Sequence, residues 1–213
     1  MSAVDLHPAE FAWSEALDVS GEFQVGLAYN SEVGGDQHAI LWHGSAAGAI
    51  DIHPAGFSNS LAVGISGASQ VGYGYSSVAN GVHALLWNGT AASAVDRHPA
   101  GFDGSRAYGV SAAGQVGSAY GPSTNSGHGH AILWTGTAAT ALDIHPFLAN
   151  LGPSFTNSVA FDIDDSGSIV GYARDKRGTL YAVLWTPVPE PASCTLLACG
   201  LAIASFTRAR RRH

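Results

Sequence analysis

The chain is poor in cysteine and in charged residues. Of its 213 residues, two are cysteine and 12% are Asp, Glu, Lys or Arg. Both cysteines, Cys194 and Cys199, lie near the C-terminus, and five residues apart on a helix they would point ~140° away from each other, too far for a mutual disulfide. Residues 1–186 therefore contain no thiol, which excludes a disulfide framework there and suits an oxidising compartment.

The sequence also lacks the short motifs of common active sites. It has no Gly-x-Ser-x-Gly elbow, no His-Glu-x-x-His motif, no phosphate-binding loop and no dinucleotide fingerprint. Residues 1–190 contain five basic and sixteen acidic side chains, and a body with a net charge of −11 does not attract phosphate backbones. We therefore expect no catalytic residue, no cofactor and no nucleic-acid partner.

Two motifs recur along residues 1–186 with a period of about 45 residues. Asp-x-His-Pro provides His7, His53, His98 and His145, which are 46, 45 and 47 residues apart, and the matching aspartates are Asp5, Asp51, Asp96 and Asp143. His-Ala-x-Leu-Trp ends at Trp42, Trp87 and Trp134, and a divergent fourth copy ends at Trp185. The motifs define four units, at about residues 2–42, 48–87, 93–134 and 140–185.

Each unit has the pattern of four short strands separated by Gly, Ser, Asn and Asp, which is typical of an all-β fold. Alternation predicts that Leu61, Val63 and Ile65 share one face of a strand, opposite Ala62 and Gly64. Four strands per unit is the blade size of a β-propeller. We predict a propeller-like array over residues 1–186, four-bladed if it closes. The alternative is an open array or a fragment of a larger propeller.

The units resemble the HAF-type extracellular repeats of exported bacterial proteins, which carry His-Ala-x-Leu-Trp and a Gly-Gln-Val-Val-Gly-Tyr-like hairpin. In this chain the third residue of the first motif is Ile40, Leu85, Ile132 or Val183 rather than Phe, and the double valine is reduced to one at Val71. The resemblance implies an extracellular location rather than an activity.

The repeated histidines suggest either a metal site or a structural cluster. Four Asp-x-His-Pro histidines on a ring would in principle converge on an axis. The stronger interpretation is a hydrogen-bonded cluster inside each blade, similar to the His-Asp-Trp networks of WD-type propellers, because a buried polar group needs a fixed partner in every unit. We therefore predict no metal, and we expect Trp42, Trp87, Trp134 and Trp185 to be buried anchors. Trp13 lies outside this register and is expected to be exposed.

Two further features concern the loops. Residues 162–167 resemble the start of a calcium loop, but Ala173 occupies the position of the bidentate Glu, so a tight turn is favoured. The segments before each His-Ala strand, residues 30–37, 76–82, 121–129 and 175–180, differ in every unit. Variable loops on one edge of a scaffold are usual binding surfaces. The tyrosines beside them suit stacking on sugars: Tyr29, Tyr73, Tyr75 and Tyr120.

The C-terminal 26 residues form a distinct tail. Residues 192–207 carry no charge, and as a helix they would be ~24 Å long, slightly short of a hydrocarbon core of ~30 Å. Arginines that follow such a span hold that end in the cytoplasm, and prolines before it keep the chain extended. The arginines are Arg208, Arg210, Arg211 and Arg212. We therefore separate residues 187–213 as a tail with one membrane helix; a buried core helix is the alternative.

This tail resembles the PEP-CTERM sorting signal of Gram-negative bacteria, on the residues Val188, Pro189, Glu190 and Pro191, the apolar run and the arginine cluster. The resemblance implies processing by an exosortase-like membrane enzyme, a transient inner-membrane stage, and an association with exopolysaccharide or biofilm material. We predict a non-enzymatic exported protein of the envelope or extracellular matrix; the alternative is a secreted hydrolase or lyase on a propeller scaffold. Residues 1–5 show no export signal, so we expect a misplaced start codon, a fragment or a decayed gene.

Overall fold

A computed structural model of the chain describes residues 1–30, 35–124 and 128–188. The all-β prediction is confirmed: the described residues form four antiparallel sheets. The first comprises β1 (Trp13–Ser20), β2 (Phe23–Tyr29), β3 (Gln37–His43) and β4 (Ile50–Asp51). The second comprises β5 (Phe57–Ser66), β6 (Ser69–Ser76), β7 (Gly81–Trp87) and β8 (Val95–Asp96). The third comprises β9 (Gly104–Ser111), β10 (Gly114–Tyr120), β11 (Gly129–Trp134) and β12 (Ala141–Asp143). The fourth comprises β13 (Phe155–Ile163), β14 (Ile169–Asp175) and β15 (Leu180–Trp185).

Short 3-10 segments connect some of these strands. Three of them lie between the third and fourth strands of the first three sheets, at Ala46–Gly48, Ala91–Ser93 and Ala138–Thr140. The other two are Pro122–Thr124 and His145–Asn150. In the residues that the structure covers, no helix is long and apolar enough to cross a membrane.

The sheets do not coincide with the sequence units. The fourth strand of the first sheet, β4, pairs with β3 through Ile40 opposite Asp51, and Asp51 belongs to the Asp-x-His-Pro motif that opens the second unit. The same holds for β8 and β12, whereas the fourth sheet has three described strands. Each unit therefore completes the preceding sheet before it starts its own, so that successive sheets are tied by the chain itself.

The prediction that Leu61, Val63 and Ile65 share one face of a strand, which is β5 in the structure, is wrong. A bulge between Ala62 and Gly64 shifts the pairing of β5 with β6, and Ile65 lies with Ala62 in one buried cluster. The bulge accompanies a close approach of the two backbones, because a Cβ at Gly72 would overlap the carbonyl oxygen of Leu61. The glycine of each Gln-Val-Gly motif permits this approach.

The sheets stack face to face in a row, with one apolar cluster at each boundary. The first boundary buries Val25, Ala39 and Leu41 of the first sheet against Leu85 and Trp87 of the second. The second and third boundaries repeat this arrangement one unit further along. Packing joins neighbouring sheets, and nothing comparable joins the first sheet to the fourth among the described residues. The four-bladed ring, predicted for the case that the array closes, is not seen, and the described residues form an open row, as in the alternative.

Candidate functional site

The repeated Asp and His residues meet at the boundary between sheets, in a group that we call the junction cluster. At the first boundary, Nδ1 of His38 on β3 lies 2.6 Å from Oδ2 of Asp51 on β4. The other carboxylate oxygen of Asp51 accepts the backbone N–H of His53 at 2.8 Å. The rings of His38 and His53 stack with centroids 4.2 Å apart. The aspartate therefore joins His38 on β3 to His53, which lies in the connection between β4 and β5.

A buried serine completes the junction cluster. Oγ of Ser60, on β5, lies 2.8 Å from Nδ1 of His53 and accepts the backbone N–H of Ala39 at 3.0 Å. Nε2 of His53 lies 3.1 Å from the carbonyl oxygen of Phe57. Since Nε2 donates to that carbonyl, neutral His53 accepts the Ser60 hydroxyl at Nδ1. The chain of bonds runs from the backbone of one sheet, through Ser60 and His53, to the backbone of the next.

The same cluster occurs at the next two boundaries. His83 with Asp96 and His130 with Asp143 each make the Nδ1 contact at 2.7 Å. The stacked imidazole pairs have centroids 4.0 Å apart in both cases. The residues of these two clusters are His83, Asp96, His98 and Ser105, and His130, Asp143, His145 and Ser158.

Burial lowers the pKa of the second histidine of each cluster. Desolvation lowers the pKa of His53 below its ordinary value of 6.5, and the neighbouring His38 lowers it further. The same two causes lower the pKa values of His98 and His145, with His83 and His130 as the respective neighbours. A proton on Nδ1 would also deprive the serine hydroxyl of its acceptor.

Asp, His and Ser occur together, but their geometry is not that of a nucleophile. Ser60, Ser105 and Ser158 have no solvent-accessible surface, so no substrate carbonyl reaches them. Each of these hydroxyls already accepts a backbone N–H. In the part of the chain that the structure describes, no group of three or more His, Cys, Asp or Glu side chains is placed to hold a metal ion. The arrangement stabilises the boundary.

The four motif tryptophans lie in the core. Trp42, Trp87, Trp134 and Trp185 are all buried. The indole N–H of Trp185 donates to the carbonyl oxygen of Ile144 at 3.1 Å, whereas the other three indole nitrogens have no partner among the described residues. Trp13 is 47% exposed, as expected, and packs against Tyr29 with ring centroids 5.2 Å apart.

The first Asp-x-His-Pro motif forms half of a junction cluster. Asp5 accepts the backbone N–H of His7, and Nδ1 of His7 lies 2.9 Å from Oγ of Ser14. The described residues provide neither a stacked ring for His7 nor a backbone donor for Ser14. This half-cluster lines an open cavity of about 470 Å³ together with Ala16 and Trp42.

The variable loops lie at one rim of the row, where they connect the second and third strands of each sheet. Of these loops, residues 31–34 and 125–127 lie outside the described residues. The loop after β6 is ordered by its own contacts: the hydroxyl of Tyr75 donates to Oδ1 of Asn80 at 2.6 Å, and the N–H of Ser77 donates to the Gly56 carbonyl at 3.0 Å. Exposed aromatic rings stand at this rim on the first, second and fourth sheets, at Trp13, Tyr75 and Tyr181.

The predicted tyrosines have different surroundings. Tyr29 packs on Trp13, and Tyr75 is at the rim. The guanidinium carbon of Arg106 lies 5.2 Å from the ring centre of Tyr73 and 6.0 Å from that of Tyr120. These last two rings therefore serve a cation-π contact inside the row.

A polar groove of about 590 Å³ runs along the first strands of the sheets. Oδ2 of Asp18 accepts the Ile65 N–H at 2.9 Å, and Oδ1 of Asp164 accepts the N–H groups of Ser166 and Ser168. The side-chain hydrogen bond from Ser166 is the largest cause that lowers the pKa of Asp164. Its carboxylate closes a tight turn, the alternative favoured over a calcium loop.

Sequence reasoning missed the serines of the junction cluster. Ser14, Ser60 and Ser105 each follow their histidine by seven residues, while Ser158 follows His145 by thirteen. The constant spacing of seven residues between histidine and serine in three units could have identified these serines. The predicted interpretation of a cluster inside each blade differs from the structure, because the residues meet between sheets. The sorting signal lies outside the described residues from Pro189 onward, as do the membrane helix and the arginines.

The chain matches no model of a known family, no curated protein and no solved structure.

Proposed function

We propose that this chain is a non-enzymatic exported protein of the cell envelope or extracellular matrix, built as a propeller-like row of sheets and sorted through its C-terminal tail. The observation that carries the proposal is the order of parts in residues 188–213. A Pro-Glu-Pro segment, an uncharged run of sixteen residues and four arginines follow one another. A simple anchor needs the last two parts only, whereas recognition by a processing enzyme explains the first.

The tail is tested by fractionation in a host that possesses an exosortase, with an export signal fused before Met1 of every variant. Native protein should accumulate outside the inner membrane, and Glu190→Ala should remain full-length in that membrane. Glu10→Ala provides a matched control because Glu10 is exposed and lies outside the tail. If native protein and Glu190→Ala both stay full-length and membrane-bound, the tail is an anchor and the sorting proposal is wrong.

The junction clusters support a scaffold rather than an enzyme. Their aspartates, histidines and serines are bonded to one another and to the backbones of two sheets. The same residue types recur at each of the three boundaries, whereas an enzyme normally breaks such repetition to build one site. The alternative of a hydrolase or lyase draws no support from these residues.

The rim of variable loops is the binding surface that we propose for exopolysaccharide. Trp13 and Tyr75 present exposed aromatic rings there, and such faces stack on the apolar sides of sugars. Acidic side chains give the body a negative charge, so a neutral polysaccharide suits it better than an anionic one.

Binding is tested with the polysaccharide of the producing cell, by co-sedimentation and by assay of new reducing ends. Native protein should co-sediment without releasing reducing ends, and the double variant Trp13→Ala/Tyr75→Ala should bind several-fold more weakly. Val95→Ala is the control, since Val95 is an exposed apolar residue on β8, outside the variable loops. Release of reducing ends that disappears on changing one loop carboxylate would establish the enzyme instead.

A further inference from the structure

We propose that copies of this chain bind one another head to tail, by repeating between molecules the contact that joins successive sheets within one molecule. The row has two outer faces. The leading face belongs to the first sheet and carries Ala16, Val19 and Trp42. The trailing face belongs to the fourth sheet and carries Val170, Ala182 and Leu184.

The leading face exposes residues that are buried in the sheets behind it. Val19 is 61% exposed, whereas Ile65 at the same position of the second sheet is 7% exposed. Ala16 is exposed, and its counterpart Ala62 is fully buried. The cavity of about 470 Å³ over Trp42 occupies the place where a preceding sheet would lie.

The trailing face exposes residues whose counterparts in the first sheet are buried against the second sheet. Val170 is 48% exposed, whereas Val25 at the same position of the first sheet is fully buried. Leu184 is 60% exposed, and its counterpart Leu41 is 3% exposed. Inside the row, Val25 and Leu41 of the first sheet pack in one cluster with Ile65, which is the counterpart of Val19. The two outer faces are therefore the two halves of one repeated interface.

The hydrogen-bonding groups also match. At the first boundary, the N–H of Ala39 donates to Ser60, and its carbonyl accepts the N–H of Ile52. Ala182 occupies the position of Ala39, because β14 pairs with β15 in the register of β2 with β3. Its amide and carbonyl thus face the edge of β15 that no described strand covers. On a second copy, Oγ of Ser14 and the N–H of Leu6 occupy the positions of the two partners.

The aromatic stack of the junction cluster has a counterpart as well. Tyr181 stands where His38 stands in the first sheet and is 37% exposed. Its ring can lie on His7 of a second copy as His38 lies on His53. Because the two faces differ, the contact is heterologous, and it produces a ring or an open filament.

The test uses sedimentation velocity of the full chain in detergent. Native protein should form species larger than a dimer whose fraction grows with concentration. Val19→Glu and Leu184→Glu should each be monomeric, and both positions are exposed, so the fold should persist by circular dichroism. A 1:1 mixture of the two variants should form dimers and nothing larger, since each variant keeps the face that the other lacks.

Val78→Glu is the matched control, because Val78 is 86% exposed and lies in a loop away from both faces. It should associate as the native chain does. The proposal is overturned if the native chain is monomeric, as it would be with residues 189–213 covering the trailing face. It is also overturned if association survives both single variants, or if their mixture stays monomeric.

Discussion

Ser60→Ala should lower the free energy of unfolding by roughly 2–4 kcal/mol. The change removes one oxygen atom from a site without solvent access and leaves two groups without a partner. These are the N–H of Ala39, bonded at 3.0 Å, and Nδ1 of His53, bonded at 2.8 Å. An unsatisfied buried polar group costs about 1–3 kcal/mol. His53 is only half-buried, so a hydrogen bond from water to its ring offsets part of the cost of losing the serine.

Ser14→Ala is the matched comparison, because Ser14 bonds His7 at 2.9 Å but accepts no backbone N–H from another described residue. It is also only half-buried, so its loss should be about 1 kcal/mol or less. Urea unfolding followed by tryptophan fluorescence and by circular dichroism measures both. Equal losses for Ser60→Ala and Ser14→Ala would refute the reasoning that the serine joins two sheets.

Three further predictions concern the same architecture. The free energy of unfolding should fall as the pH drops from about 7.5 to about 5.5, a range above that in which ordinary carboxylates titrate. Three histidines have lowered pKa values in the folded protein, so the unfolded chain takes up protons at a higher pH than the folded chain does. A urea midpoint that does not change over this pH range would contradict the prediction. These histidines are His53, His98 and His145. Trp185→Phe should cost about 1 kcal/mol more than Trp87→Phe in urea unfolding, because only the first loses an indole hydrogen bond; the reverse order would refute it. Gly72→Ala should cost about 1–3 kcal/mol, because its Cβ meets the Leu61 carbonyl, while Gly129→Ala makes only ordinary contacts. Equal thermal midpoints for these two glycine variants would contradict the close approach.

The sequence predicted the repeat and the strands because these depend on side-chain alternation and on a fixed period. The burial of the motif tryptophans follows from the same pattern, since a large apolar ring repeated once per unit needs a core position. Trp13 departs from the register, and it is the exposed one.

The boundaries of the sheets could not be predicted, because β4 and β8 are two residues long and are defined by backbone pairing. The bulge at Val63 was equally hidden, since alternation assumes an unbroken ladder. Closure depends on how each sheet is rotated against the next, and no single motif encodes that rotation. Ser60 was missed because a serine among many in a Gly- and Ser-rich chain carries little signal without its spacing from His53.

The most direct test of the proposed function is the intact mass of the protein recovered outside the inner membrane of a host that possesses an exosortase. We predict a mature chain that has lost the apolar run and the arginines, residues 192–213. Recovery of full-length protein only, confined to the inner membrane, would contradict it.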